Sequence, residues 1–133
     1  EGNGGVIYPA SHCGRDAMVG VALFLSQLAH KKMSVSEYKA TLPPYFIAKN
    51  RIDLSDKAMI DRILEEMKAH FASEKINTID GVKIDFEAKK QWVHLRKSNT
   101  EPIIRIYSEA QTEAEAQALA EEVIAIANSI INA

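Results

Sequence analysis

Apolar positions along this chain follow two rhythms, and the changes between them mark the elements. From about Asp16 to His30, apolar side chains recur all round a helical wheel, which predicts a helix buried on more than one side. A capping box, Ser34-x-x-Glu37, then opens a short helix. Pro43-Pro44 cannot continue it and marks a boundary. Beyond it, Tyr45 to Asp53 reads as a strand leading to a helix that begins near Ser55. Its core face recurs at Met59 or Ile60, Ile63, Leu64, Met67 and Phe71. Ile76 to Ile79, the Asp80-Gly81 turn and Val82 to Phe86 alternate with period two. Strands at about Gln91 to Arg96 and Ile103 to Ser108 follow. A second capping box, Thr112-x-x-Glu115, opens the last helix, which carries Leu119, Val123, Ile126 and Ile130 on one stripe.

The second part therefore has the order βαβββα, an α+β arrangement with two helices on one face of an antiparallel sheet. The division expected is residues 1–41 and residues 42–133. At 133 residues, with 47% hydrophobic and 26% charged, the chain has enough apolar residues for one core plus an appendage. The apolar surface of residues 16–30 has no evident partner in the sequence, so residues 1–41 are expected to be partly exposed, mobile or completed by self-association.

Charge and cysteine narrow the function classes. A net charge of −2 offers no broad basic field, which argues against nucleic acid as the main partner. The lone Cys13 excludes an internal disulfide and suits a reducing, cytoplasmic setting. The longest apolar run, Ala17 to Ala29, is interrupted by Gly20, Ser26 and Gln27 and falls short of the ~20 residues needed to span a bilayer, so no membrane is expected. His30, His70 and His94 are too scattered for a metal site, and none is expected in this chain.

Chemistry concentrates in Arg96-Lys97-Ser98-Asn99-Thr100-Glu101-Pro102, followed by Arg105. Two guanidinium groups, two hydroxyls and a turn-forming Asn within one hairpin loop are what a phosphate cradle needs. Arg presents a planar fork, Ser and Thr donate hydroxyl protons, and Asn tolerates the geometry that turns backbone N–H groups inward. The plainer reading is a solvated polar turn, because Ser, Asn and Thr are common turn residues. Without an anion, Arg96 would pair with Glu101 or Glu109. The acidic positions Glu113, Glu115, Glu121 and Glu122 read as a solvated helix face, and Trp92 and His94, on the face of Arg96, as packing residues.

The segment Arg96-x-Ser98-Asn99-Thr100-Glu101-Pro102 with Arg105 resembles the C-terminal phosphate-binding loop, R-x-S-[GN]-T-E-P, of the α-D-phosphohexomutases. These are the phosphoglucomutase, phosphomannomutase and phosphoglucosamine mutase enzymes. At the other end, Glu1-Gly2-Asn3-Gly4-Gly5 resembles their sugar-binding loop, and Val6 through Ala17 continues as in one branch of the family; Gly5 stands where many relatives have His. The resemblance implies a TATA-box-binding-like C-terminal unit preceded by the end of an α/β domain. Arg96, Ser98, Asn99 and Thr100 would hold the non-reacting phosphate of a hexose or hexosamine phosphate. Arg105 would join them or brace the loop. Glu1 and Asn3 would bind sugar hydroxyls, and Glu101 and Pro102 would shape the loop. Arg15 is a further candidate for the phosphate, whereas Asp16 is equally placed to cap the helix that follows.

The family's phosphorylated serine lies in a T-A-S-H-N-P loop and its Mg²⁺ on a D-G-D-x-D-R loop; neither occurs in this sequence. Ser11-His12 lacks the flanking residues of the first. The chain therefore reads as the C-terminal part of a longer mutase, holding no catalytic residue, inactive alone, and working with the remaining domains that carry the magnesium. Two other classes stay open: a non-catalytic α+β module for a phosphorylated ligand or a protein, and a small nucleic-acid-binding domain using Arg96 and Arg105 on phosphates.

Overall fold

A computed structural model describes residues 4–54 and 56–132. The chain divides into two compact units, Glu1–Pro43 and Pro44–Ala133. The first holds a hairpin of β1 (Ile7–Tyr8) and β2 (His12–Arg15), then helices α1 (Ala17–Lys31) and α2 (Val35–Ala40). The hairpin was not expected, because β1 is too short to show a period. Asp16 caps α1 by accepting from the Val19 N–H at 3.0 Å. Ser34 and Glu37 form the full capping box of α2. No residue of α1 is buried, and Met18 is 78% exposed.

The second unit contains β3 (Phe46–Asp53), α3 (Lys57–His70), β4 (Lys75–Asn77), β5 (Val82–Phe86), a 3₁₀ turn at Glu87–Lys89, β6 (Gln91–Lys97), β7 (Ile103–Ala110) and α4 (Glu113–Ile131). Its five-stranded sheet is antiparallel throughout, in the order β3-β7-β6-β5-β4. The short edge strand β4 adds a member to the predicted βαβββα sequence. The start of α3 is capped by Asp56, whose carboxylate accepts from the Ala58 N–H at 2.9 Å; Ser55, where the helix was expected to begin, lies outside the described residues.

Both helices cover one face of the sheet. Ile60, Ile63, Leu64, Met67 and Phe71 of α3 and Leu119, Ala120, Val123 and Ala127 of α4 pack with Ile84, Val93, Leu95, Ile104 and Ile106 from the strands. Ile60, rather than Met59, is the buried member of the first turn. Along α4 the expected stripe is incomplete: Ala116, Ala120 and Ala127 are fully buried, while Ile126 and Ile130 pack at the core's margin. Small side chains let the helix backbone approach the sheet, and the buried Ser108 hydroxyl uses that closeness to donate to the Ala116 carbonyl at 2.7 Å.

Alternation does the rest. With Val93, Leu95, Ile104 and Ile106 turned to the helices, Trp92, His94, Arg96, Arg105 and Tyr107 are left on the opposite, open face. That face carries the chemistry.

Candidate functional site

The loop between β6 and β7 is fixed at its base by a hydrogen bond from the Ser98 N–H to the Ile103 carbonyl at 3.0 Å. Within it, the Ser98 hydroxyl accepts from the backbone N–H groups of Thr100 and Glu101 at 3.4 and 3.3 Å, and stands 3.4 Å from the Thr100 hydroxyl. These contacts are long compared with the usual 2.7–3.2 Å range, so they are weak. Two main-chain donors and two hydroxyls thus converge on one point that a stronger acceptor would compete for. Asn99 and Thr100 are exposed at the tip, and Ser98 is half-buried. The exit of the loop is fastened to the end of β3 by a bond from the Leu54 N–H to the Pro102 carbonyl at 2.9 Å.

Arg96 and Arg105 face each other as direct partners across β6 and β7. The register therefore places the two arginines, nine positions apart in sequence, side by side on adjacent strands below the same loop. Arg96 does not pair with Glu101 or Glu109. Its Nε lies 2.8 Å from a carboxylate oxygen of Asp80, in the turn between β4 and β5. Glu109 instead accepts from the Trp92 indole N–H at 2.9 Å, so Trp92 sits half-buried on the open face with Lys83 over its ring at 5.2 Å, not in the core. Arg105 has no side-chain hydrogen bond or ion pair among the described residues. The Glu101 carboxylate likewise has no such partner there, contrary to the expected pairing; its backbone carbonyl shapes the loop by accepting from the Ile103 N–H at 2.9 Å.

Asp80 was missed by sequence reading, which treated it only as a turn residue. Its carbonyl also lies 2.5 Å from His94 Nε2, and Gly81 beside it packs against the backbone at Leu95 and Arg96. The turn thus braces the strand that presents Arg96. The only available signal was an acidic residue at a tight turn next to a strand ending in Arg.

In the first unit, Arg15 closes β2 and is exposed. Asp16 caps α1 and lies 3.7 Å from the His12 ring, so the capping alternative accounts for it. Glu1 and Asn3 lie outside the described residues. Among the described residues no three of His, Cys, Asp or Glu come together to hold a metal, and no helix is long and apolar enough to cross a membrane.

Residues 51–126 match the family model described as the phosphoglucomutase/phosphomannomutase, C-terminal domain. The chain is 39% identical over 124 residues to a phosphoglucosamine/phosphogalactosamine mutase of Sulfurisphaera tokodaii, covering 92% of this chain and 27% of that protein. It is 40% identical over 121 residues to a phosphoglucomutase/phosphomannomutase of Thermococcus kodakarensis, covering 88% and 25%. The chain thus spans about a quarter of the length of these curated relatives. Among solved structures, N-acetylphosphoglucosamine mutase of Aspergillus fumigatus, in complex with GlcNAc-6P and magnesium, superposes with a TM-score of 0.52 at 19% identity. The match covers 90% of this chain and 22% of that one, a likeness of fold.

Proposed function

Because the chain belongs to the phosphoglucomutase/phosphomannomutase family, as a C-terminal domain, we propose that it supplies the phosphate grip of a mutase that interconverts the 1- and 6-phosphates of a hexose or hexosamine. The observation that carries this reading is the loop itself. The N–H groups of Thr100 and Glu101 already converge on the weakly bound Ser98 hydroxyl, above the facing pair Arg96 and Arg105.

A phosphate dianion at that point would accept from the two N–H groups and the hydroxyls of Ser98 and Thr100. It would also offset the cost of holding two cations as cross-strand partners. Each charge-assisted hydrogen bond contributes about 1.5–3 kcal/mol, enough for a few such bonds to fix the distal end of a small substrate. The role is orientation: gripping the phosphate that does not react places the other end of the sugar for transfer. Glu1 and Asn3 would add bonds to sugar hydroxyls by resemblance to the family. The phosphoserine donor and the magnesium belong to other parts of the full enzyme in this proposal. On the same reading the isolated chain binds and does not turn over, and a cytoplasmic setting goes with sugar-phosphate metabolism.

The test is a backbone-amide titration of the chain with hexose 6-phosphates, with the unphosphorylated sugars as controls. Saturable shifts confined to Lys97 through Arg105, absent with free sugars, are the expected result. Shifts that follow the free sugars, or that avoid the loop, would sink the assignment.

A further inference from the structure

The sheet register extends the arginine pair to a third strand. Arg105 of β7 is partnered by Arg96 on β6 and, on its other side, by Arg51 on β3. Three arginines therefore stand abreast on the open face, on adjacent strands. Directly opposed side chains have their Cβ atoms about 4.5–5.5 Å apart, and like charges so placed repel. The flanking members have carboxylates: Asp80 at 2.8 Å from Arg96, and Asp53 at 3.5 Å from Arg51 Nε. The central Arg105 has none among the described residues.

Among the described residues the carboxylates seen paired with this row stand at its flanks, beside Arg51 and Arg96, and not at its middle. Arg51 and Arg105 also line one open depression of about 640 Å³, together with Lys49, Asp53, Glu101 and Tyr107. The bond from the Leu54 N–H to the Pro102 carbonyl holds that end of β3 against the loop's exit. Arg51 side chain is 64% exposed and its contact with Asp53 is loose, so its fork is free to turn towards Arg105 at little cost.

Resting on the phosphate-grip reading above, we infer that Arg51 is a third guanidinium of the anion site. It reaches the phosphate monoester from the β3 side while Arg96 reaches it from β6 and Arg105 lies beneath. Its role is in recognition: a planar fork favours a phosphate dianion over a neutral hydroxyl, and a site three arginines wide favours a doubly charged monoester over a singly charged diester.

The experiment is the titration of the 133-residue chain with glucose 6-phosphate, followed by amide shifts, for the native sequence and for Arg51→Gln, Arg51→Lys and Lys49→Gln. Lys49 shares the depression but not the arginine row, lying over the Tyr107 ring at 5.8 Å, so it reports what loss of a nearby charge alone does. Arg51→Gln is expected to raise Kd about 10-fold, the scale of one charge-assisted hydrogen bond, with unchanged amide dispersion. Arg51→Lys should recover only part of this, because the charge returns without the fork. Lys49→Gln should stay within about threefold, as expected for an exposed charge. Equal effects of Arg51→Gln and Lys49→Gln, or full recovery by Arg51→Lys, would reduce Arg51 to a diffuse field effect and overturn the inference. Native-like binding by Arg51→Gln, with the Ser98–Thr100 shifts intact, would overturn it and leave the loop reading standing. Absence of saturable shifts in the native chain would remove both.

Discussion

Gly81→Ala is a single-methyl change whose cost follows from two separate features of the β4–β5 turn. Gly81 has φ +77°, and a Cβ at this position would lie 2.2 Å from the Leu95 carbonyl oxygen and 3.1 Å from the Arg96 Cα. Left-handed backbone costs an L-residue about 1–2 kcal/mol. The contact is with backbone on a central strand, so it is the turn that must withdraw. Withdrawal sacrifices the contact of His94 Nε2 with the Asp80 carbonyl, about 1 kcal/mol for a net hydrogen bond, and the half-exposed Asp80–Arg96 pair, about 0.2–1 kcal/mol. The sum is about 3 kcal/mol, a large part of the 5–15 kcal/mol that holds a domain together. Urea unfolding followed by fluorescence reads it directly, because Trp92 is the single tryptophan and sits half-buried on β6. A companion Gly81→Asn separates the causes: Asn tolerates positive φ but carries the same Cβ, so it should remain destabilised if the Leu95 contact dominates. A loss below about 1 kcal/mol for Gly81→Ala would refute the claim that this turn is packed against β6.

Other expectations are simpler to read. Asn50→Val should stabilise the second unit by about 1 kcal/mol in the same unfolding assay. The Asn50 side-chain N–H group is buried with no hydrogen-bond partner among the described residues, and Val suits a strand; destabilisation would mean the amide has a partner. Hydrogen bonds from the Ser34 hydroxyl and then its backbone N–H hold the Glu37 carboxyl below its ordinary range. A lowered folded-state value contributes stability that is present above the unfolded value and lost as pH falls through the folded one, so α2 should fray under acid and not under mild base. A carboxyl titration showing Glu37 at or above its value in an unfolded peptide would contradict this. Met18→Glu with Leu25→Glu should abolish any self-association through residues 16–30 while changing stability little, because both side chains are more than half exposed. Persistence of concentration-dependent sedimentation in the double variant would place the contact elsewhere.

Legibility in the sequence followed how local each feature is. Capping boxes, the helical spacing of Ile63, Leu64, Met67 and Phe71, and the loop bracketed by Arg96 and Arg105 are all set by neighbours within a few residues, and each was readable. The alanine face of α4 was not, since Ala116, Ala120 and Ala127 carry too little apolar signal to reveal that they lie flat on the sheet. Nor were Asp80 beside Arg96 or Arg51 beside Arg105. Those neighbours come from the pairing of strands distant along the chain, which no local pattern encodes. Strand β1 is two residues long, below the length at which a period of two can be recognised, whereas the alternation read at Ile76 to Ile79 falls on β4.

The pairing of β3 with β7 sets the order in which the second unit can be completed as it is synthesised. Phe46 pairs with Ala110 and Asp53 with Ile103, so the first strand made waits for the last strand made, with β4, β5, β6 and the whole of α3 translated in between. An edge strand of eight residues stays without a ladder until β7 has cleared the ribosome, and the core stays open on one side until α4 follows it. Long-range closure of this kind slows folding and concentrates it into one late step. A nascent chain halted before β7 has no native partner for β3, and the charges of Lys49, Arg51 and Asp53 along that strand are what keep it from seeking one in another molecule.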